Sequence, residues 1–332
     1  SINAVYPGLM EVQPENLKAL KSKRVGILGY GNQGRAHALN LRDSGIDVVV
    51  GARAGSGSQH ATADGFSVLS FLEAAEQASV LVFTLPDPVI PKVFQHCLPA
   101  IEGGKLLGFA HGFAYHFREI ERLANAHYFL AAPKGAGVIL RQNYERGIGL
   151  PVAIAAESQT DLEGTWKLAE SYAFALGARG APLRTSFEEE TVCDLFGEQS
   201  VLCGGLMYLM ESAFNTLREA GYSEEMAFFE CCYEVQRIMD VFLRFGPVGT
   251  VRRISPTAFF GGVTRGNRVL NPRLSEELHH ILSEIQKGDF GKEWKRELSE
   301  GGKIMETAEA RLRHSAWQKT FERMGEVLVD PV

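Results

Sequence analysis

The chain has 332 residues, 45% of them hydrophobic and 22% charged, with a formal net charge of -6. That length suits two domains, the composition is that of an ordinary globular protein, and the acidic balance argues against a general nucleic-acid or anionic-membrane binder. No apolar run approaches the ~20 residues of a membrane helix. The first residues lack the layout of a secretion signal, and the five cysteines form no CxxC pair, so reduced thiols and a cytoplasmic location are expected.

Residues 1–22 read as a leader packed outside the first domain. A buried strand over 24–28 runs into Gly29-Tyr30-Gly31-Asn32-Gln33-Gly34, a helical pattern over 35–42 follows, and 47–50 is the next strand. This is GxGxxG in its strand–turn–helix context. Its glycines let the backbone approach a pyrophosphate, and the helix N-terminus supplies amide donors. An NAD-type site usually places Asp or Glu after the second strand. Here the residues are Arg53, Ser56 and Ser58, which suit a 2′-phosphate because guanidinium binds phosphate oxygens through a planar fork. NADPH is the expected cofactor.

The alternation continues with strands over 80–85, 105–110, 128–132 and 152–155, separated by helical patterns over 73–78 and 89–98. A mainly parallel, doubly wound Rossmann-type α/β domain follows. Ligands in such sheets bind beyond the carboxyl ends of the strands. The cofactor is therefore expected against Leu85, Pro86, Asp87, His111 and Gly137, with His111 and Lys134 as candidate catalytic groups at the same edge.

From residue 188 onward the pattern is almost wholly helical, with helices over 191–210, 213–220, 223–244, 275–287 and 292–324. Breaks are expected at Gly221, at Gly246-Pro247 and in the Gly/Pro/Asn-rich stretch 261–273. Several of these helices are apolar on more than one side, as in 201–210, which calls for burial by the chain itself or by a partner. A homodimer is the expected partner arrangement. Two carboxylate pairs at i,i+4 spacing, Asp194/Glu198 and Glu230/Glu234, have apolar neighbours. Like charges on one helix face repel, and an all-oxygen set without nearby His suits a hard cation such as Mg²⁺.

These pieces resemble the ketol-acid reductoisomerases (acetohydroxy acid isomeroreductases), short class, over about residues 20–325. The resemblance rests on residues 29–34, 36–45, 109–113, 132–135, Asp194-Leu-Phe-Gly-Glu-Gln199 and 201–205. It implies an NADPH-binding domain over 1–187 and an all-α metal, substrate and dimerisation domain over 188–332, knotted and interlaced in the family. The implied reaction converts a 2-acetohydroxy acid to a 2,3-dihydroxy acid by alkyl migration and hydride transfer. Asp194, Glu198, Glu230 and Glu234 match the family's Mg²⁺ ligands, the second pair coming from the partner subunit. Glu234 and Ser255 match substrate contacts, and His111 and Lys134 match active-site residues.

The sequence departs from the family pattern around the substrate, at Val192, Cys193, Ala136, Val138, Tyr233, Arg253, Pro256, Phe259 and Gly262. These changes leave open an alternative function, an NADPH reductase of another ketone or imine without the migration step. A catalytically silent NADPH scaffold is a third reading, which the retained carboxylates, Lys134 and Ser255 disfavour.

Overall fold

The computed structural model describes residues 12–270 and 273–328. The chain separates into two compact units, residues 1–191 and 192–332. Of the expected leader, residues 1–11 lie outside the described residues. Pro14–Leu17 forms a 3₁₀ turn and Leu20 is fully buried.

The first unit alternates strand and helix: β1 (Arg24–Leu28), α1 (Asn32–Asp43), β2 (Asp47–Gly51), α2 (Ser56–Ala63), β3 (Val68–Leu69), α3 (Phe71–Gln77), β4 (Val80–Phe83), α4 (Ile90–Ile101), β5 (Leu106–Phe109), α5 (Phe113–His116), β6 (His127–Pro133), α6 (Gly137–Glu145), β7 (Val152–Glu157), α7 (Leu162–Leu176) and β8 (Leu183–Arg184). The sheet order is β3-β2-β1-β4-β5-β6-β7-β8. Every adjacent pair is parallel except β6–β7. Neighbouring residues of β1 serve opposite faces, as strand geometry requires. Ile27 packs with Tyr172 of α7 in one core, and Leu28 with Phe83, Phe94 and Phe109 in the other. Both faces are covered, which explains why the central strands read as continuous apolar runs. The chain order reverses between β1 and β4, opening a crevice at their carboxyl ends.

Two expectations need correction in this unit. The strand expected over 80–85 ends at Phe83; just beyond it the Thr84 hydroxyl donates to Leu28 O and Gly29 O, tying the strand end to the start of the nucleotide loop. The run ending at Ser58 is not all loop. Ser56 opens α2, and the Ser58 hydroxyl accepts from Gly55 N and donates to Gly55 O, closing that first turn on itself.

The second unit is helical throughout its regular structure. α8 (Phe187–Gly197), whose residues 187–191 belong to the first unit, is followed by a π-helical turn at Glu198–Leu202, then α9 (Gly205–Glu219) and α10 (Glu224–Phe228). A second π turn covers Phe229–Tyr233, and α11 (Glu234–Val251), α12 (Pro256–Val269), α13 (Leu274–Gln286), α14 (Asp289–Ser299), α15 (Lys303–His314) and α16 (Ala316–Met324) complete it. The helices expected over 191–210 and 223–244 are each interrupted by a π turn. The one expected over 292–324 is three helices, broken at Gly301 and Gly302 with φ of 92° and 72° and at Ser315, whose hydroxyl caps α16. The break at Gly246 is a bend inside α11, with φ 68°. The break expected over 261–273 begins too early. Ser255 caps α12, Pro256 starts it, and the helix carries Gly261 and Gly262 as far as Val269; residues 271 and 272 lie outside the described residues.

The core of this unit is small, with Phe214, Ala227, Phe228 and Met324 packed beside Trp317 and Cys232. Large apolar side chains stay exposed in the single chain, among them Leu243 at 78% and Tyr208 and Phe260 at 66%.

Candidate active site

The crevice beyond β1 and β4 holds a cleft of about 710 Å³. Its wall includes Gly29, Tyr30, Gly31 and Asn32 from the loop before α1, Arg53 and Ser56 beyond β2, Leu85 and Pro86 beyond β4, and Gly137 at the start of α6. The third glycine of the motif is sterically required, since a Cβ on Gly34 would lie 2.1 Å from Gly29 O. A Cβ on Gly137 would meet Asn32 O at the same distance, so α6 rests directly on the nucleotide loop. Gln33 is not part of the wall; its Nε2 donates to Gly135 O at 3.1 Å, tying that loop to the turn that follows Lys134. Gly34, Ser58, Asp87 and His111 also lie outside the wall. The sequence reading missed Arg35 and His60, which line it. Arg53 is exposed and, among the described residues, has no carboxylate partner.

At the same sheet edge, β5 ends just before His111 and β6 just before Lys134. Both meet Glu190 in the first turn of α8, whose side chain is 2% exposed. Lys134 Nζ donates to Glu190 Oε1 at 3.0 Å, Gly112 N donates to Glu190 Oε2 at 3.2 Å, and His111 Nδ1 lies 3.2 Å from the same oxygen. Burial alone would raise the Glu190 carboxyl, but the hydrogen bonds and charges of His111 and Lys134 outweigh it and hold the group below its ordinary range. The helix leaves no room to spare here, because a Cβ on Gly112 would meet Thr191 Oγ1 at 2.3 Å. Lys134 stays 41% and His111 22% exposed, so both side chains keep part of their surface in reach of solvent while Glu190 holds them. This arrangement can position a cation and an imidazole against a polar ligand and pass protons to it. Glu190 went unassigned in the sequence because it closes an acidic run, 188–190, that resembles a solvated helix start. Its spacing of four from Asp194 was the available signal.

The other carboxylates lie on helix ends where the backbone pitch changes. Asp194, half-buried, sits on α8, and the exposed Glu198 opens the first π turn, where Cys203 N–H reaches back to Glu198 O. Glu230 lies within the second π turn, and Glu234 follows at the head of α11; both are exposed. Such turns re-aim side chains and recur at functional sites. Among the described residues, Glu198, Glu230 and Glu234 enter no group of three or more ligand atoms lying within 4.8 Å of one another in one chain. The Ser255 hydroxyl accepts from Ala258 N at 3.0 Å as the cap of α12, which leaves its own proton free to donate. Nearby Arg253 stacks 3.7 Å over the Phe245 ring and donates to Gly249 O. Tyr233 packs against Phe229 and lies 5.3 Å from the Arg237 guanidinium.

Comparison with known proteins follows this division. Residues 19–181 match the family model described as acetohydroxy acid isomeroreductase, NADPH-binding domain. Residues 187–328 match that of the ketol-acid reductoisomerase C-terminal domain. A solved NADH-preferring ketol-acid reductoisomerase from an uncultured archaeon is 33% identical with a TM-score of 0.88, over 94% of this chain and 96% of that one. More distant likenesses share the fold alone. A semialdehyde dehydrogenase NAD-binding protein from Cupriavidus necator is 17% identical with a TM-score of 0.63, over 80% of this chain and 99% of that one. A pyrroline-5-carboxylate reductase from Coxiella burnetii is 16% identical with a TM-score of 0.56, over 80% and 98%. Both halves of the chain and its match across nearly the full length of a solved member agree: the chain belongs to the ketol-acid reductoisomerase family and is an NAD(P)H-dependent oxidoreductase.

Proposed function

We propose that this protein is an NADPH- and Mg²⁺-dependent ketol-acid reductoisomerase that converts a 2-acetohydroxy acid to a 2,3-dihydroxy acid, with active sites completed across a homodimer. The observation that carries the reading is the Glu190-held pair of Lys134 and His111 at the sheet edge beside the cofactor cleft, in a chain whose second half carries the family's carboxylates. The preference for NADPH is supported by Arg53 and Ser56 in the cleft wall, where the residues suit a phosphate rather than a bare ribose. The neighbour of solved structure prefers NADH, so this preference is a property of the present chain's own loop.

The donor chemistry fits Mg²⁺: Asp194, Glu198, Glu230 and Glu234 offer only oxygen, and the exposure of Glu198, Glu230 and Glu234 leaves space for the waters this ion retains. When bound, Mg²⁺ supplies polarisation of the substrate oxygens and NADPH supplies the hydride. The chain's own residues do the rest. Glu190 orients Lys134 and His111, which hold and deliver protons to substrate oxygens. The Ser255 O–H donates to the substrate carboxylate, and the loop amides of residues 29–34 anchor the cofactor. The exposed apolar helix faces of the second unit supply the dimer surface, and a second copy supplies Glu230 and Glu234.

Glu198→Gln tests the metal assignment. It should abolish Mg²⁺-dependent turnover while NADPH affinity, followed by fluorescence, stays as in the unaltered chain. Unchanged turnover would refute the metal role.

A further inference from the structure

α2 forms one wall of the cofactor cleft through Ser56, Gly57 and His60. Only the two-residue β3 follows it, so little of the sheet holds it in place. Besides Ala61, which is buried in the core, what holds it is a side-chain knot at its C-terminal end. Asp64, the residue that ends the helix, accepts from the Tyr30 hydroxyl at 2.8 Å. It also accepts both arms of the Arg35 guanidinium, Nε at 2.7 Å and Nη2 at 3.0 Å. Arg42 adds a bond to the Asp64 carbonyl and covers the Phe66 ring, against which Tyr30 packs edge-on. At the other end of α2, a Cβ on Gly57 would lie 3.3 Å from Tyr30 O.

Tyr30 and Arg35 are not remote supports. Tyr30 stands between the first two glycines of the nucleotide loop, Arg35 lies one residue past the third, and both line the cleft. From this geometry we infer that Asp64 is a positioning residue for the cofactor, clamping α2 to the nucleotide loop so that the two walls of the adenosine half are preorganised before binding. Tyr30 is 6% and the Asp64 side chain 19% exposed, while the Arg35 side chain is 55% exposed, so the Tyr30 arm of the clamp is the one shielded from competing water. The Arg35 and Tyr30 hydrogen bonds hold the Asp64 carboxyl below its ordinary range despite partial burial, which favours the charged form that the clamp uses. Charge-assisted, two-pronged bonds of this kind fix geometry as well as adding energy. If they are lost, the ligand itself must order the wall, and that cost appears as weaker affinity.

The inference rests on the reading of this cleft as the NADPH site, and its test separates the two. Asp64→Asn keeps the size of the side chain but loses the charge and the second acceptor. Its NADPH dissociation constant and KM should rise about tenfold, while kcat at saturating NADPH and the Mg²⁺ dependence hold. Tyr30→Phe, which removes one hydroxyl and leaves the packing, should weaken NADPH several-fold. In Tyr30→Phe/Asp64→Asn the loss should be less than the product of the two single effects, since both act through one knot. A lower melting temperature with unchanged NADPH affinity in both single variants would overturn the clamp and reduce Asp64 to a stabilising residue. Arg53→Ala in the unaltered chain is the control. If it weakens NADPH while Asp64→Asn does not, the clamp alone falls; if neither does, the cleft assignment falls with it.

Discussion

Replacing Glu190 by Gln tests whether the sheet-edge network is as tightly held as its geometry indicates. The substitution keeps the volume of a side chain that is 2% exposed but turns a carboxylate that accepts from Lys134 and Gly112 into an amide. One acceptor oxygen remains, and the new NH₂ faces donors. A hydrogen bond to a charged group contributes roughly 1.5–3 kcal/mol, and breaking one side of a fully buried ion pair costs about 3–5 kcal/mol. Lys134 is 41% exposed, so water can replace part of its loss, and a net destabilisation of about 2–3 kcal/mol is expected after discounting for that screening. Urea unfolding followed by the fluorescence of Trp166, the tryptophan within residues 1–191, gives the comparison. The pH sign follows from the depressed carboxyl. The stabilisation is complete above the unfolded value of about 4.3 and fades as pH falls through the lower folded value. The gap between the two proteins should therefore close on strong acidification. Turnover should fall with it, because both Lys134 and His111 lose their orientation. A destabilisation below about 0.5 kcal/mol at pH 7, the level of an ordinary surface substitution, would refute the reasoning.

Two further outcomes follow. His37 is fully buried with Nδ1 2.9 Å from the Tyr172 hydroxyl, and burial lowers its pKa to about 3. Between that value and the ordinary ~6.5 only the unfolded chain takes a proton. Stability therefore falls as pH drops below ~6.5, by about 2 kcal/mol at pH 5. His37→Leu should flatten that part of the slope in urea unfolding, and an identical slope would count against it. Arg53→Ala should weaken NADPH about tenfold, the low end for a charged phosphate contact at an exposed site, and leave NADH binding unchanged. Equal losses for both cofactors would mean that Arg53 does not read the 2′-phosphate.

Much of the fold was legible because its signals are local. The glycine loop carries its own steric logic, visible at Gly34, and the strands buried on both faces read as apolar runs. The pairing of Lys134 with Glu190 was not legible, since 56 residues separate them and only the sheet brings them together. The π turns were equally hidden. A one-residue slip in hydrogen bonding at Glu198 changes no residue type, and the helical periodicity on either side is unaffected. At Gly261-Gly262 intrinsic propensity pointed to a break, but the Ser255 cap and Pro256 start a helix that runs through both glycines. The Ser58 hydroxyl, read as a phosphate ligand, is occupied by its own turn. Its neighbour Ser56 keeps a place in the cleft wall.

The central claim is tested most directly by NADPH oxidation with 2-acetolactate, its non-migrating 2-keto isomer and a cyclic imine, each with Mg²⁺ present or chelated. The account predicts turnover of 2-acetolactate and of the isomer that disappears on chelation, and none of the imine. Turnover of the imine without any of 2-acetolactate would contradict it.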